Sequence, residues 1–462
     1  MAKASSLVDV SVQFPQADEI IKVLLLQSGH NTASVMLGAG FLGVAAGVVG
    51  TFALLRKRAL MGDAIAHASL PGICTAFLLL TSLGFAGRNL FALLLGATFS
   101  GLLCIACVHL LARHTRLSED AAIGAVLSVF FGAGVVLLSI IQTLGTGNEG
   151  GLHDFIYGQT AAMRRVDALV LAYAAGLTLL SSLLMLKEFR IVCFDSAFAE
   201  VQGWPSNLID AAMMGLVIGV TVIGLQSVGI ILIVALLIVP AAAARFWTEN
   251  LNIMTLTAGL IGGISGYFGA AASALFPRLP AGAVIVSVCG VLFALSMFFA
   301  PRRGVLATTL RHSSLSLRVA REHLLRTIYE TLETSPQELK AGKALSIAEL
   351  KNHLGAVPNS FVVFMLRTQG LLRRQADGSL ALTESGFAEA ARVTRNHRLW
   401  EEYIVLHGQL AVSHVDYSAD LVEHVLSQSI VAELVEVLRR AGRLPQHASP
   451  AESLHPLTGG AA

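Results

Sequence analysis

The sequence is poor in charged residues. Only 13% of its 462 residues are Asp, Glu, Lys or Arg, whereas an ordinary soluble protein has roughly a quarter. The charges are also unevenly placed: they are sparse and clustered between residues 32 and 300, and they recur every few residues from Arg302 onward. This distribution excludes a wholly soluble protein and predicts two regions that face different solvents.

Three further features are scarce or missing. The net charge is only +2, which does not support the broad basic surface of a nucleic-acid-binding protein. The five cysteines all lie in or beside apolar stretches and give no sign of a secreted disulfide framework. No Gly-x-x-x-x-Gly-Lys-[Ser/Thr] phosphate loop occurs, so we expect no ATP site of that kind on this chain.

Long apolar runs, in contrast, are abundant. A membrane-spanning helix needs about 20 mostly apolar residues, and the sequence predicts an all-α, polytopic bundle with eight or nine such spans. Residues 208–244 as one helix would be roughly 55 Å long, so we predict a break near Gly224, Gln226, Ser227 and Gly229. The nine predicted spans are 32–55, 63–83, 90–111, 121–142, 167–186, 208–225, 228–244, 253–275 and 283–300.

Positive charge orients the bundle, because Lys and Arg concentrate in cytoplasmic loops. With nine spans, ten Lys and Arg residues fall on one side and four on the other. The side with four has Arg88, Arg164, Arg165 and Arg278; the side with ten has Arg56, Lys57, Arg58, Arg113, Arg116, Lys187, Arg190, Arg245, Arg302 and Arg303. The sequence therefore predicts a multi-pass protein of a bacterial inner membrane whose C-terminal region is cytoplasmic.

The apolar region contains one segment with the chemistry of a metal site, GDAIAHASLPG at residues 62–72. Asp63 and His67 are four residues apart and share one face of a helix. A carboxylate and an imidazole are suitable ligands for Zn²⁺, Mn²⁺ or Fe²⁺. The alternative is that Asp63 caps the helix and His67 forms an interhelical hydrogen bond. Metal binding is favoured, because ionisable groups at membrane depth are rare and usually functional.

This segment resembles the signature of the zinc/manganese/iron class of ABC importer permeases. The resemblance extends over residues 32–303 and includes Gly158-Gln159 and the PAAAAR run at 240–245. It implies that Asp63 and His67 lie on the path of the metal, with two permease subunits each presenting one pair. It also implies three partners: an ABC ATPase, an extracytoplasmic metal-binding protein and a second permease subunit, identical or homologous, within membrane lipid.

A short polar segment between the fifth and sixth spans resembles the coupling helix through which such permeases contact their ATPase. Asp195 is placed to cap a helix over residues 196–202, and Gly203 to end it. A surface turn is the alternative. The residues expected to couple to the ATPase are Asp195, Ala199, Glu200 and Gly203.

The chain after the last span has the pattern of soluble helices. Predicted helices at 323–332, 346–354 and 358–369 precede a hairpin around Asp377-Gly378, which is the order of a winged helix. The third helix has one basic residue and much apolar surface, so it is poorly suited to contacting phosphates or bases.

The predicted organisation is an amphipathic lead-in (1–31), permease domain (32–303), linker (304–317), winged helix (318–386), metal-binding and dimerisation helices (387–440) and disordered tail (441–462).

The last helices resemble the iron-dependent, diphtheria-toxin-repressor-like regulators, through Leu382-Thr383 with Gly386, the run RNHRLWE at 395–401, and Glu423-His424. The resemblance implies cytoplasmic metal ligands at His323, His397, Glu401, Asp416, Asp420, Glu423 and His424. The sequence departs from the iron-type pattern, with His323 where Met is usual and Asp420 where Cys is usual. An oxygen and imidazole set suits Mn²⁺ or Zn²⁺; surface charge on amphipathic helices is the alternative.

We therefore expect a permease subunit of an ABC importer for Zn²⁺, Mn²⁺ or Fe²⁺, with a cytoplasmic domain that senses metal and restrains transport. The chain is expected not to be an enzyme. A membrane-anchored, metal-dependent transcription regulator is the main alternative, although nucleic-acid binding is disfavoured. An ion-coupled secondary transporter is a third possibility, weakened by the predicted coupling helix.

Overall fold

The computed structural model describes residues 15–85, 89–143, 163, 165–276, 279–333, 343–354, 357–408 and 428–441. The chain divides into two compact units, Met1–Thr308 and Thr309–Ala462. Both are built mainly of helices, as the sequence predicts.

Apolar helices make up most of the first unit. Eight of those described are long and apolar enough to cross a membrane, and a ninth apolar helix, α10, is shorter. The helices of this unit are α1 (Ala17–Leu24), α2 (His30–Leu55), α3 (Ala59–Ser82), α4 (Leu90–His114), α5 (Glu119–Thr143), α6 (Arg165–Leu184), α7 (Leu186–Phe194), α8 (Ser196–Val201), α9 (Ser206–Val228), α10 (Ile230–Trp247), α11 (Leu251–Leu275) and α12 (Ala281–Phe299).

The predicted break in the long apolar stretch 208–244 lies at Gly229. This residue separates α9 from α10 and has φ +81° and ψ 172°, a conformation open to glycine and strained for other residues. The break divides a stretch that would otherwise be too long for the membrane into two helices. The two predicted spans 208–225 and 228–244 are thus separate helices.

Helix α2 is the central helix of the bundle and packs very closely against α11. A Cβ atom added at Gly43 would lie 2.1 Å from the carbonyl oxygen of Gly262, and one added at Gly262 would lie 2.1 Å from that of Gly43. A Cβ at Gly47 would lie 2.3 Å from the carbonyl oxygen of Ala258. Small residues that allow two backbones to approach are typical of helix interfaces in membranes.

The second unit contains five described helices and one hairpin. They are α13 (Val305–Glu333, which starts just before the unit boundary), α14 (Ile347–Leu354), α15 (Ser360–Thr368), β1 (Leu372–Arg374), β2 (Leu380–Leu382), α16 (Glu384–Gly408) and α17 (Gln428–Arg440). The strands are antiparallel, with Leu372 opposite Leu382. Their buried leucines join a core formed largely by α13, α14 and α15.

Two helix starts in this unit follow from the sequence around them. Residues 305–317, predicted as part of a linker, lie within α13; no Pro or Gly interrupts this stretch, so the helix continues through it. A capping box precedes α14: Glu349 accepts hydrogen bonds from the Ser346 N–H at 2.7 Å and hydroxyl at 2.8 Å. These bonds hold the pKa of Glu349 below its usual value.

Candidate functional site

Asp63 and His67 lie near the beginning of α3. Helix geometry places them about 6 and 12 Å along the axis from Ala59. His67 Nε2 is 3.4 Å from Asp63 Oδ1, so the four-residue spacing brings the two groups together as predicted. The side chain of His67 is 27% exposed and that of Asp63 is 34% exposed. The N-cap position of α3 is Arg58, which makes no side-chain capping bond, and Asp63 lies one turn inside the helix, which argues against the capping alternative.

The second ring nitrogen of His67 has unused bonding capacity. Its Nδ1 atom is buried and has no hydrogen-bond partner among the residues that the structure describes. The imidazole instead meets Phe131 of α5 edge to face, with ring centroids 4.9 Å apart and an interplanar angle of 80°. A buried polar atom without a partner costs about 1–3 kcal/mol. The described contacts of His67 therefore do not include the interhelical hydrogen bond of the alternative interpretation.

Proline and glycine shape the helix just after this pair. Pro71 lies inside α3 and has no N–H with which to bond the carbonyl oxygen of His67 in the helix. One residue later, a Cβ at Gly72 would lie 2.2 Å from the carbonyl oxygen of Gly96 in α4. The Ser100 hydroxyl also donates to the Ala68 carbonyl at 2.6 Å. Helix α3 is thus held close to α4 immediately beyond the pair.

An ion-pair network that the sequence analysis missed surrounds the turn between α2 and α3. Arg58 donates to Glu119 of α5 and to Asp210 of α9. Arg56 donates to the other oxygen of Asp210 at 2.9 Å and to the Val192 carbonyl at 3.1 Å. The sequence contained a sign of this network, because Asp210 is a carboxylate near the start of a predicted span and calls for a cationic partner.

A cavity of about 480 Å³ opens beside this network. It lies between the first turns of α3, α5 and α9 and the last turns of α4. Its lining combines cationic and anionic side chains with apolar ones, including Arg58, Met61, His109, Arg113, Glu119 and Asp210. This cavity lies at the end of the bundle nearest to Asp63.

The predicted coupling segment forms the short helix α8. The Asp195 carboxylate accepts a hydrogen bond from the Phe198 N–H at 2.9 Å, and Gly203 has φ +84° after the helix end. Ala199 is fully buried, while the Glu200 carboxylate accepts a hydrogen bond from the Ser206 hydroxyl at the start of α9. The local geometry predicted from Asp195 and Gly203 is therefore present.

The outer face of α8 is apolar. Val201 is 87% exposed and Phe198 is 53% exposed, and neighbouring exposed apolar side chains mark surfaces that another protein or a membrane contacts. Beside α8 lies a groove of about 350 Å³ whose lining includes Met185, Trp204 and Leu208. This arrangement is typical of a surface that another protein covers.

The predicted metal ligands of the second unit divide into two sets. Asp416, Asp420, Glu423 and His424 lie outside the described residues. His323 is on α13, whereas His397 and Glu401 are on α16, where His397 Nε2 is 3.3 Å from Glu401 Oε1. No group of three or more His, Cys, Asp or Glu side chains able to hold a metal occurs within the described ranges.

A guanidinium group occupies the space next to this histidine. Arg326 of α13 places one nitrogen 2.7 Å from His397 Nδ1. Arg326, His397 and Glu401 are all buried, with exposed fractions of 6%, 2% and 1%. The sequence analysis did not single out Arg326, although it lies one turn after His323 on the same helix. The two predicted ligands are thus brought together, but with a cation already beside them.

The bundle of apolar helices, with its ionisable pair inside, defines a multi-pass membrane protein of the transporter class. A family model described as the ABC 3 transport family matches residues 29–300. The chain belongs to the ABC 3 transport family. A second model, the iron dependent repressor metal binding and dimerisation domain, matches residues 383–449. Both resemblances noted in the sequence are confirmed.

Similar proteins share this architecture to different extents. The chain is 36% identical over 428 residues to the manganese transport system membrane protein MntC of Bacillus subtilis (strain 168), covering 92% of this chain and 95% of the relative. It is 40% identical over 295 residues to the zinc transport system membrane protein TroC of Treponema pallidum (strain Nichols), covering 64% and 97%. The solved structure of PsaBC from Streptococcus pneumoniae in complex with Fab matches with a TM-score of 0.54 and 30% identity, covering 64% of this chain and 100% of that chain.

Proposed function

We propose that this chain is the permease subunit of an ABC importer that moves a divalent transition metal ion, Mn²⁺, Zn²⁺ or Fe²⁺, into the cell. The observation that carries the proposal is the Asp63–His67 pair, in which the buried Nδ1 atom of His67 has no hydrogen-bond partner among the described residues. The names of the relatives, manganese and zinc transport system membrane proteins, support the same class of substrate.

The pair offers ligands that suit such an ion without holding it permanently. Asp63 supplies carboxylate oxygen and His67 supplies imidazole nitrogen, a set that Zn²⁺, Mn²⁺ and Fe²⁺ all accept. The His67 carbonyl, which Pro71 cannot bond in the helix, offers a further oxygen. One pair alone is short of the four ligands of a closed site, so we expect a second permease subunit to present its own pair. An incomplete site in each subunit lets the ion enter and leave.

The proposed orientation of the bundle follows from charge. Ten Lys and Arg residues near the ends of the predicted spans lie on one side and four on the other, which favours a cytoplasmic location for the second unit. In this orientation Asp63, the ion-pair network and the neighbouring cavity all lie toward the cytoplasmic end of the bundle. An extracytoplasmic metal-binding protein would deliver the ion to the opposite end.

Energy for transport would come from a separate ATPase subunit, because no phosphate-loop motif occurs in the sequence. Helix α8 is the surface that fits this partner. Its exposed Phe198 and Val201 side chains can enter an apolar cleft of the ATPase, while Asp195, Ala199, Glu200 and Gly203 fix the shape of the helix. The proposed role of these four residues is therefore to position the contact.

Transport coupled through α8 is tested by Val201→Glu. We expect cells that lack their own metal importers, and that express this chain with its ATPase and binding protein, to accumulate one of the three metals. Val201→Glu should lower the initial rate about tenfold or more, because the contact would then bury an unpaired charge. The measurement is accumulation of radioactive Mn²⁺, Zn²⁺ and Fe²⁺ over the first minutes.

Val201→Ile is the matched control, since it keeps an apolar side chain at the same exposed position. It should transport like the unmodified chain. Both variants should reach the membrane in equal amounts, as judged by immunoblotting. No uptake of any of the metals by the unmodified system would refute the transport proposal, and full uptake by Val201→Glu would refute coupling through α8.

The second unit is proposed to regulate this transport. Its helices α13, α14 and α15 followed by the β1–β2 hairpin have the element order of a winged helix. Helix α15, in the position that reads DNA in such domains, exposes Phe361 and Phe364 by 56% and 61%. Apolar aromatic side chains make few contacts to phosphates, so regulation of the permease is favoured over transcription control.

Deletion of residues 309–462 is expected to raise metal accumulation at high external concentrations. The reason is that the proposed metal-sensing restraint would be lost, while residues 29–300, which match the transport family, remain. The measurement is the steady-state metal content of cells across a range of external concentrations. The two curves should coincide at low metal and separate at high metal; coincidence throughout, with equal protein in the membrane, would show that the unit does not restrain transport.

A further inference from the structure

The contact between α13 and α16 contains a buried cation that belongs to the protein itself. Arg326 of α13 is 6% exposed, and it faces His397 of α16, which is 2% exposed. The Arg326 side chain also approaches Glu330, with Nε 3.7 Å from Oε2. A charged group is rarely buried to this extent unless it is paired and hydrogen-bonded, so these contacts account for its position.

The hydrogen bonds of His397 determine what its ring can still bind. An arginine can only donate hydrogen bonds, so the His397 Nδ1 atom, 2.7 Å from the guanidinium nitrogen, must act as the acceptor. The Nε2 atom lies 3.2 Å from the same guanidinium nitrogen and 3.3 Å from Glu401 Oε1. Both ring nitrogens of His397 therefore have the Arg326 guanidinium as a close neighbour.

A metal ion at His397 would need a lone pair on the imidazole ring and negative charge nearby. Arg326 occupies the lone pair of Nδ1 and neutralises part of the nearby negative charge. The lone pair of His397 Nδ1 points at the guanidinium, where a second cation would meet the positive charge of Arg326 at close range. The arginine also offsets negative charge on Glu330. Glu401 keeps one oxygen, Oε2, that is buried and has no hydrogen-bond partner among the described residues. His397 and Glu401 thus have the chemistry of metal ligands, yet with the Arg326 guanidinium beside them they do not fit a metal ion.

We propose that the Arg326 guanidinium takes the place of a metal ion at His397 and Glu401. The contact between α13 and α16 is therefore held by the positive charge of the Arg326 side chain and does not depend on metal supply. Under this proposal His397 and Glu401 are not metal ligands, in contrast to the prediction from the sequence. Metal binding by this unit then falls to the other predicted ligands. The inference holds whether or not the transport proposal is correct, because it concerns a separate part of the chain.

The test compares metal binding by full-length variants in lipid nanodiscs. Purified protein is dialysed against Mn²⁺ alone, and bound metal per chain is measured by mass spectrometry of the element. His397→Ala in the otherwise unmodified chain should leave the number of bound Mn²⁺ ions unchanged. A loss of one ion per chain in that variant would overturn the inference directly, without any change at Arg326.

Removal of the arginine provides the converse experiment. Arg326→Glu should bind one additional Mn²⁺ per chain, because it exchanges the competing cation for a carboxylate ligand, and adding His397→Ala should abolish the gain. Arg326→Lys is the matched control: it keeps a positive charge and should bind no additional ion. Arg326→Met serves the same purpose as Arg326→Glu if the carboxylate prevents folding. If Arg326→Glu or Arg326→Met elutes as folded protein but binds no more Mn²⁺ than the unmodified chain, the inference is overturned.

Discussion

Replacement of either Asp63 or His67 by Ala is expected to lower the initial rate of metal uptake by at least about tenfold. Loss of groups that merely support metal ligands already weakens metal affinity by about 10–100-fold, and these two residues are proposed to contact the ion itself. Their side chains are partly exposed, so truncation removes ligands without emptying a packed core. The measurement is uptake of Mn²⁺, Zn²⁺ and Fe²⁺ by cells that carry each variant with the partner subunits.

Two controls separate metal binding from structure. Asp63→Asn keeps the size of the side chain and removes its charge, so it should transport as poorly as Asp63→Ala. His114→Ala removes an exposed histidine at the end of α4, outside the proposed path, and should transport normally. Normal uptake by both Asp63→Ala and His67→Ala would mean that the pair is structural and that the ion takes another route through the bundle.

Addition of a single methyl group at Gly43 or Gly262 is expected to destabilise the bundle more than any change at the metal pair. A Cβ at either position would lie 2.1 Å from the carbonyl oxygen of the other residue, and a backbone cannot move aside as a flexible side chain can. Overpacking costs typically about 1–3 kcal/mol and occasionally more. Gly43→Ala and Gly262→Ala should therefore lower both the thermal unfolding temperature and the yield of folded protein in detergent.

Gly176 of α6 is the matched control, because a Cβ added there would meet nothing within 4 Å. Alanine is intrinsically better than glycine in a helix by about 1 kcal/mol, so Gly176→Ala should not be destabilising. The measurement is the fraction of each protein that remains monodisperse in size-exclusion chromatography after heating. Equal stability of Gly43→Ala and Gly176→Ala would show that α2 and α11 are not in the close contact described.

The membrane helices could be predicted because each follows from a local property of the sequence. A run of about 20 apolar residues requires a helix in lipid, where no water can bond the backbone. A break near Gly224, Gln226, Ser227 and Gly229 could be predicted, since the membrane is too thin for a single helix over 208–244; its position at Gly229 comes from the structure. The partners of each helix could not be predicted this way. The fit of Gly43 against Gly262 joins residues that are distant in the sequence, and glycines are frequent throughout the chain.

The same distinction applies to the candidate sites. Asp63 with His67 and the cap at Asp195 depend on spacings within one turn, so the sequence alone predicts their geometry. The bond from Arg58 to Asp210 joins residues 152 positions apart, and that from Arg326 to His397 joins residues 71 positions apart. Such contacts depend on how whole elements pack, and no local pattern of charge specifies which arginine meets which acceptor.

The ion pairs at the beginning of α3 also determine how movement can pass through the protein. Glu200 of α8 bonds Ser206 at the start of α9, and one helical turn later Asp210 bonds Arg58, the residue directly before α3. Only about 6 Å of α9 separates these two attachments. The first turn of α9 therefore links α8 to the start of the helix that carries Asp63. A displacement of α8 would act on the start of α3 through this single helical turn.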